Sequence, residues 1–376
     1  SANAILFDIH GEYEPLKSDG FQHVKIAGPN DDVKDGIFFL PYWLLTYEEM
    51  ISMMLDRSDN NAPNQAMAFS NAVVEQKRKQ LEGLGKIDVL ANFTIDSPVP
   101  YKLIDVLNSL KAKDIERVPP EKPTRDGPLA KKLTRFIQRL EAKKNDKRLN
   151  FLFNESDDVL KYDYIDNIAK TLLLSNNLQD KKGVKIINFS EVPSDILPLM
   201  VSLVARVIFS IQQWIPKEDR HPLAFFCDEA HLYLPEKTRS SVEEAGLENF
   251  ERIAKEGRKY GIGLVVISQR PAEVNRTILS QSNNFIAMRL TNAEDQSVIK
   301  RLLPDSLGNF SELLPILDVG EALVVGDASL LPSRIKISKP TLEPNSATVD
   351  FWDEWQKSKN KDVVSEAIEA LRRQSK

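Results

Sequence analysis

Two adjacent carboxylates, Asp228 and Glu229, follow the apolar run Pro222-Leu223-Ala224-Phe225-Phe226-Cys227 and precede Ala230 and His231. A short apolar run bounded by polar residues predicts a buried strand. Such a strand delivers both acids to one point, its carboxyl end, where wound sheets bind their ligands. Phosphoryl transfer is the chemistry this pair can do. One carboxylate, Asp228, holds Mg²⁺ through water, and the other, Glu229, polarises the attacking water for in-line displacement. The plainer alternative is an acidic turn that merely closes a strand, and the neighbouring motifs argue against it.

The next apolar run, Leu264-Val265-Val266-Ile267, closes on Ser268-Gln269-Arg270-Pro271. A polar side chain there suits a sensor of the terminal phosphate, which makes Gln269 the candidate. Asp-Glu-Ala-His also names a box of superfamily-two helicases, but their downstream arginine-rich motif, two arginines near glycines, is lacking. His231 either links nucleotide state to the following element or orders its own turn. Between the two strands, Arg252 to Gly261 ends in Arg258-Lys259-Tyr260-Gly261. Cations there complement the dipole of a helix end and the glycine closes it. The other reading makes Arg258 a finger that reaches a neighbouring subunit's nucleotide and stabilises charge on the transferring phosphoryl, with Arg252 in reserve.

No Gly-x-x-x-x-Gly-Lys-[Ser/Thr] occurs anywhere in the chain. Gly83-Leu84-Gly85-Lys86 fails because Gln80 stands where the first glycine belongs and Ile87 where a hydroxyl should bind Mg²⁺. Backbone N–H groups that cradle phosphates are thus expected from outside these residues. No cluster of His, Cys and carboxylates suggests a transition metal, and four histidines give no arguable Ser/His/Asp arrangement.

Four short apolar runs must position these groups: 5–8, 184–188, 223–227 and 263–268. Helical patterns at 195–213 and 242–260 alternate with them, the plan of a wound parallel sheet. Further strands are expected at 284–289, 321–326 and 334–338, extending that sheet, with a helix over 293–303. Residues 45–174 carry helical periodicity and few β-branched runs, and predict an inserted helical domain. Within it, 129–148 puts Leu129, Leu133, Phe136, Ile137 and Leu140 on one face and eight basic residues on the rest, either a solvated face or a contact to nucleic-acid phosphates. The Pro-rich loop 118–128 precedes it. The tail holds Phe351, Trp352 and Trp355 and an amphipathic helix over 363–373.

With 376 residues, 42% of them apolar, the chain can bury more than one core. Fifty basic side chains nearly balance 55 acidic ones, which argues against a generally basic nucleic-acid coat but leaves room for a local patch. A single cysteine, Cys227, forbids an internal disulfide and a structural zinc site, and fits a reducing cytoplasm. The longest apolar stretch, 196–211, is broken by Pro198 and Arg206, and reads as a buried helix, not a membrane span.

Ile5-Leu6-Phe7-Asp8-Ile9-His10-Gly11-Glu12-Tyr13, taken with the Asp228 and Ser268 motifs, resembles the HerA branch of the HerA/FtsK ATPases. Their order is a P-loop, an Asp-x-His-Gly-Glu-Tyr strand, a helical insertion, Asp-Glu-Ala-His, Gly-Arg-Lys-Tyr-Gly and Ser-Gln-Arg-Pro. Everything after the P-loop is present, including Ile278-Leu279-Ser280-Gln281 and Arg289-Leu290. The resemblance implies an α/β, RecA-like P-loop NTPase core, incomplete at its amino end, with an inserted helical bundle. On that plan residues 1–44 start the core, 45–180 are the insertion, 181–340 complete the core and 341–376 form a tail. It also implies a homo-hexameric ring that moves double-stranded DNA with ATP and Mg²⁺, serving repair or defence against phage, with a nuclease or effector docked on it. Asp228 becomes the Mg²⁺ ligand, Glu229 the base, Gln269 the sensor and Arg258 the finger in trans. Asp8, His10 and Glu12 would lie near the P-loop. The P-loop and the amino-terminal β-barrel of the family are lacking, so an idle fragment is expected. The alternatives are a ring-forming scaffold for a nuclease and a secretion or conjugation ATPase of the same superfamily.

Overall fold

The computed structural model describes residues 3–17, 20–34, 36–118, 125–173, 183–302, 312–329, 331–345, 351–357 and 363–373. Its strands are β1 (Asn3–Asp8), β2 (Phe21–Ile26), β3 (Ile37–Phe38), β4 (Arg117–Val118), β5 (Arg125–Asp126), β6 (Gly183–Asn188), β7 (Leu223–Cys227), β8 (Ile262–Val266), β9 (Asn284–Met288), β10 (Glu321–Gly326) and β11 (Ser333–Lys336). The chain divides into two compact units. One comprises residues 1–23, 179–188 and 204–348, the other 24–178, 189–203 and 349–376.

In the first unit β6, β1, β7 and β8 lie side by side in that order, all parallel. Every residue of β1 is buried, as a central strand covered on both faces requires. The register places Phe7 opposite Cys227 and Cys227 opposite Val266, so the ends of β1, β7 and β8 finish together. Phe7 stacks on Phe225 (5.5 Å between centroids) and meets Phe250 edge-on (6.3 Å). Phe250 belongs to the helix Ser241–Glu256, which Ser240 caps through the Glu243 amide. That helix ends at Gly257, where a Cβ would meet the Ile262 carbonyl oxygen at 2.9 Å. A short 3₁₀ turn, Gly257–Tyr260, then leads through Gly261 (φ 75°) into β8.

The expectation that the later strands extend this sheet is corrected. β9, β10 and β11 form a separate antiparallel sheet in the order β11-β10-β9. Ile299, Leu314, Leu317, Leu323 and Val325 give it a small core of its own. β10 and β11 are a local hairpin, and alternation of apolar residues reads the same for either strand direction.

In the second unit β2 and β3 pair in parallel, and the helices Ala62–Gly83, Leu103–Asp114 and Thr134–Lys144 bury Phe69, Leu81, Val106, Leu110, Phe136 and Leu140. Phe69 and Phe136 meet at 5.6 Å. The basic stretch is α-helical over Thr134–Lys144 only, and four of its eight charges are answered within the unit. Lys131 pairs with Asp126, Arg139 with Asp56, Lys144 with Glu155 and Arg148 with Asp146. These partners favour the solvated-face reading. Residues 119–124 of the Pro-rich loop lie outside the described residues.

The helix Leu197–Trp214 is, at 18 residues, long and apolar enough by length and composition to cross a membrane. It is instead buried in the protein, with Leu199, Met200, Val201, Leu203, Ala205 and Ile208 fully covered.

Candidate active site

The site is built at the carboxyl ends of β1, β7 and β8, within the first unit. After β1 the chain turns sharply, and the buried carboxylate of Asp8 holds that turn. Its Oδ1 accepts from the amides of Gly11 (2.8 Å) and Glu12 (3.1 Å), and its Oδ2 from that of Tyr13 (3.2 Å). Gly11 supplies the left-handed backbone, φ 76°, that the turn needs. His10 is exposed beside it and Glu12 is half-buried.

Tyr13 carries the turn across to β7: its hydroxyl donates to Oδ2 of Asp228 at 2.9 Å. The other oxygen of Asp228 accepts from the Glu229 amide at 3.0 Å. Burial, reinforced by the charge of Asp228, pushes the Tyr13 phenol well above its usual range, so it remains a donor at any ordinary pH. Glu229 itself sits in the left-handed region with φ 45°, a strained conformation for a residue with a Cβ. The strain is held by pairing beyond the strand ends. Ile267 N donates to Cys227 O, and Ala230 N to Ile267 O, both at 2.9 Å. Further out, Glu236 N donates to Glu273 O and Asn275 N to Leu234 O.

This pairing sets Ser268 and Gln269 beside the two acids. Gln269 Nε2 donates to Glu229 Oε1 at 2.9 Å. The second oxygen, Oε2, lies 3.3 Å from His231 Nδ1, an ion pair only when the imidazole is protonated. That oxygen makes no hydrogen bond among the described residues. His231 Nδ1 is also 3.2 Å from Ser268 Oγ. One ring nitrogen thus faces both Ser268 and Glu229. Cys227, directly before the acids, is fully buried, and burial pushes its thiol up to about 12.

Asp8, Asp228, Glu229 and Gln269 are therefore brought together, with His10 and Glu12 on the same turn. Arg258 is not. It precedes β8 whereas Gln269 follows it, and a five-residue strand spans roughly 16 Å. Its side chain is exposed and makes no hydrogen bond or ion pair among the described residues. Arg252, by contrast, lies 5.4 Å over the Phe209 ring and 3.8 Å from Glu256. Tyr13 was missed as a site residue by the sequence reading; its place in the Asp-x-His-Gly-Glu-Tyr run was the available signal.

Among the described residues no group of three or more His, Cys, Asp or Glu side chains converges as a cage for a metal. The lone carboxylate of Asp228 fits Mg²⁺, which keeps several waters and takes its other ligands from phosphates.

A parallel sheet with two acids at the end of one strand and polar residues at the end of its neighbour fits the P-loop NTPase class of fold. The chain shares its fold with VirB4 of Thermoanaerobacter pseudethanolicus (TM-score 0.54, 16% identity, 91% of this chain and 83% of that one). It shares it also with the bacterial conjugative coupling protein TrwB (TM-score 0.51, 11% identity, 92% and 80%), which has been solved in complex with the non-hydrolysable ATP analogue ADPNP. The model of the HerA helicase central domain matches residues 1–208 and that of the HerA-like C-terminal region residues 208–346. The chain belongs to the HerA helicase family.

Among curated relatives, a probable DNA double-strand break repair helicase HerA of Methanocaldococcus jannaschii is 38% identical over 178 residues, 47% of this chain and 33% of that protein. The DNA double-strand break repair helicase HerA of Sulfolobus acidocaldarius is 29% identical over 186 residues, 48% and 37%. A probable helicase of M. jannaschii is 26% identical over 351 residues, 90% and 60%. The chain thus spans at most three fifths of the length of these relatives.

Proposed function

We propose that this chain is the ATP-hydrolysing part of a DNA translocase that works as a homo-hexameric ring on double-stranded DNA, with a nuclease or effector protein docked on it. The observation that carries the reading is the meeting of Glu229 with Gln269 at 2.9 Å, beside an Asp228 held from both sides, at the carboxyl ends of adjacent parallel strands. Support for ATP and DNA as substrates comes from the relatives, named as repair helicases, and from TrwB with its ATP analogue. Bound Mg²⁺ would supply neutralisation of phosphate charge.

Asp228 would hold that cation through water. Glu229 accepts the proton of the attacking water, and Gln269, already on Glu229, senses the terminal phosphate. Asp8 contributes by shaping the turn that displays His10 and Glu12, since both its oxygens are occupied by backbone donors. Arg258, without a side-chain partner among the described residues and at the far end of β8, acts on a neighbouring subunit's nucleotide. It is preferred to Arg252, whose guanidinium is already engaged. No Gly-x-x-x-x-Gly-Lys-[Ser/Thr] run occurs among the 376 residues, and the chain alone is expected to be idle. The proposed domain plan is a core of residues 1–44 and 181–340, to which the separate sheet of β9, β10 and β11 belongs as an appended layer, an insertion at 45–180 and a tail at 341–376, in a cytoplasmic protein.

The test is DNA-stimulated ATP hydrolysis by the full-length gene product. Glu229→Gln should lower the rate at least about 100-fold, the usual worth of a general base, and leave ATP binding intact. Undiminished hydrolysis in that variant removes Glu229 from the role. The lack of a phosphate-binding motif favours one second reading, a non-catalytic ring that holds a nuclease. That reading predicts assembly by light scattering with no response to ATP.

A further inference from the structure

Asp228 and Tyr13 are 215 positions apart in sequence yet joined by a side-chain hydrogen bond of 2.9 Å. Among the described residues each oxygen of the Asp228 carboxylate has one donor: Oδ1 takes the Glu229 amide and Oδ2 the Tyr13 hydroxyl. The terminal torsion of an aspartate is soft, with a broad and roughly two-fold preference. A donor on one oxygen alone, from the adjacent residue, leaves the plane of the group free to swing. A second donor from another strand fixes it.

Tyr13 is well placed to be that second donor, because its own position is fixed. Its amide is bound to Oδ2 of Asp8, the buried acid that also holds the amides of Gly11 and Glu12. The carbonyl of Glu12 in turn accepts from the Asn345 amide at 2.7 Å, so the turn is clasped from a second side. The path from the end of β1 to the acid on β7 thus runs through hydrogen bonds of 3.2 Å and 2.9 Å and one rigid ring.

We infer that Tyr13 is the positioning residue for Asp228, orienting its carboxylate for a water-bound divalent cation. The inference rests on the reading of Asp228 as the cation's protein ligand. It assigns the last residue of the Asp-x-His-Gly-Glu-Tyr run to the metal side of the site, through its hydroxyl and not its ring. Partners that orient a ligand in this way are worth about 10-fold to 100-fold in metal affinity or activity.

Tyr13→Phe in the full-length gene product isolates the hydroxyl, since the ring and the turn remain. The Mg²⁺ concentration for half-maximal ATP hydrolysis should rise about tenfold, while the rate at saturating Mg²⁺ falls far less. Mn²⁺ binding in the presence of ATP, followed by electron paramagnetic resonance, should weaken by the same factor and requires no turnover. An unchanged Mg²⁺ and Mn²⁺ dependence overturns the inference. So does a loss of rate that saturating Mg²⁺ does not relieve, because that is what a purely structural tyrosine would give. Asp228→Asn separates the inference from the reading beneath it. If Asp228→Asn leaves the metal dependence untouched, Asp228 is not the ligand. If it shifts the dependence and Tyr13→Phe adds nothing further in that background, the two act as one unit.

Discussion

Glu229 is held by three things at once: a strained backbone, the amide of Gln269 and the proximity of His231. A single residue in a left-handed conformation costs on the order of 1–2 kcal/mol, and it persists here because β7 and β8 remain paired past their ends. The neighbouring Cys227 gives a simple check on that pairing. Fully buried, with its thiol pushed up to about 12, it should resist iodoacetamide at pH 8 in the folded protein and react once the unit opens. Rapid labelling of folded protein would mean the end of β7 is open to solvent. Much of this was legible in the sequence, because strands of a parallel sheet present their carboxyl ends at one edge, so a strand that ends in acids and one that ends in Ser-Gln bring those residues to the same edge. The Tyr13 contact was not, since no local signal names a partner from another strand.

At the scale of elements, the three-stranded sheet depends on Gly326. Its φ is 129°, and a Cβ there would meet the Asn283 carbonyl oxygen at 2.1 Å and the Asn284 Cα at 2.6 Å. Both obstacles are backbone and cannot rotate away, so Gly326→Ala should cost about 3 kcal/mol, the upper end for overpacking. A lowered urea midpoint with early exchange of the β9 and β10 amides would show it; wild-type stability would contradict it. That this sheet stands apart was hidden because pattern reveals which face of a strand is buried, not which strand it pairs with. The partner of Arg139 on the basic helix was hidden likewise, since Asp56 lies 83 positions away in sequence.

Among the helices of the second unit Lys77 is nearly fully buried, its ammonium donating to the carbonyls of Ile95 and Ser97, both at 2.6 Å. Burial pulls its pKa from 10.5 to about 8, against the attraction of Asp96. The unfolded chain then binds more protons than the folded one between about pH 8 and 10.5, so this residue's contribution to stability rises with pH across that window. The shift corresponds to about 3 kcal/mol. Unfolding of wild type and Lys77→Met, compared from pH 7 to 10, should differ by that slope; parallel curves would count against it.

For the whole molecule, the decisive feature is that Arg258 and Gln269 lie at opposite ends of one strand. If Arg258 serves hydrolysis, it must do so in a neighbouring copy, in a head-to-tail arrangement that closes as a ring. Two full-length variants test this together. Glu229→Gln and Arg258→Ala should each be nearly inactive alone. When they are mixed and allowed to exchange subunits, interfaces arise in which the Arg258→Ala subunit supplies an intact Glu229 and its Glu229→Gln neighbour an intact Arg258. ATP hydrolysis by the mixture should then rise well above the sum of the separate variants. A mixture that stays at that sum, with subunit exchange verified, would contradict a site shared between copies of this chain.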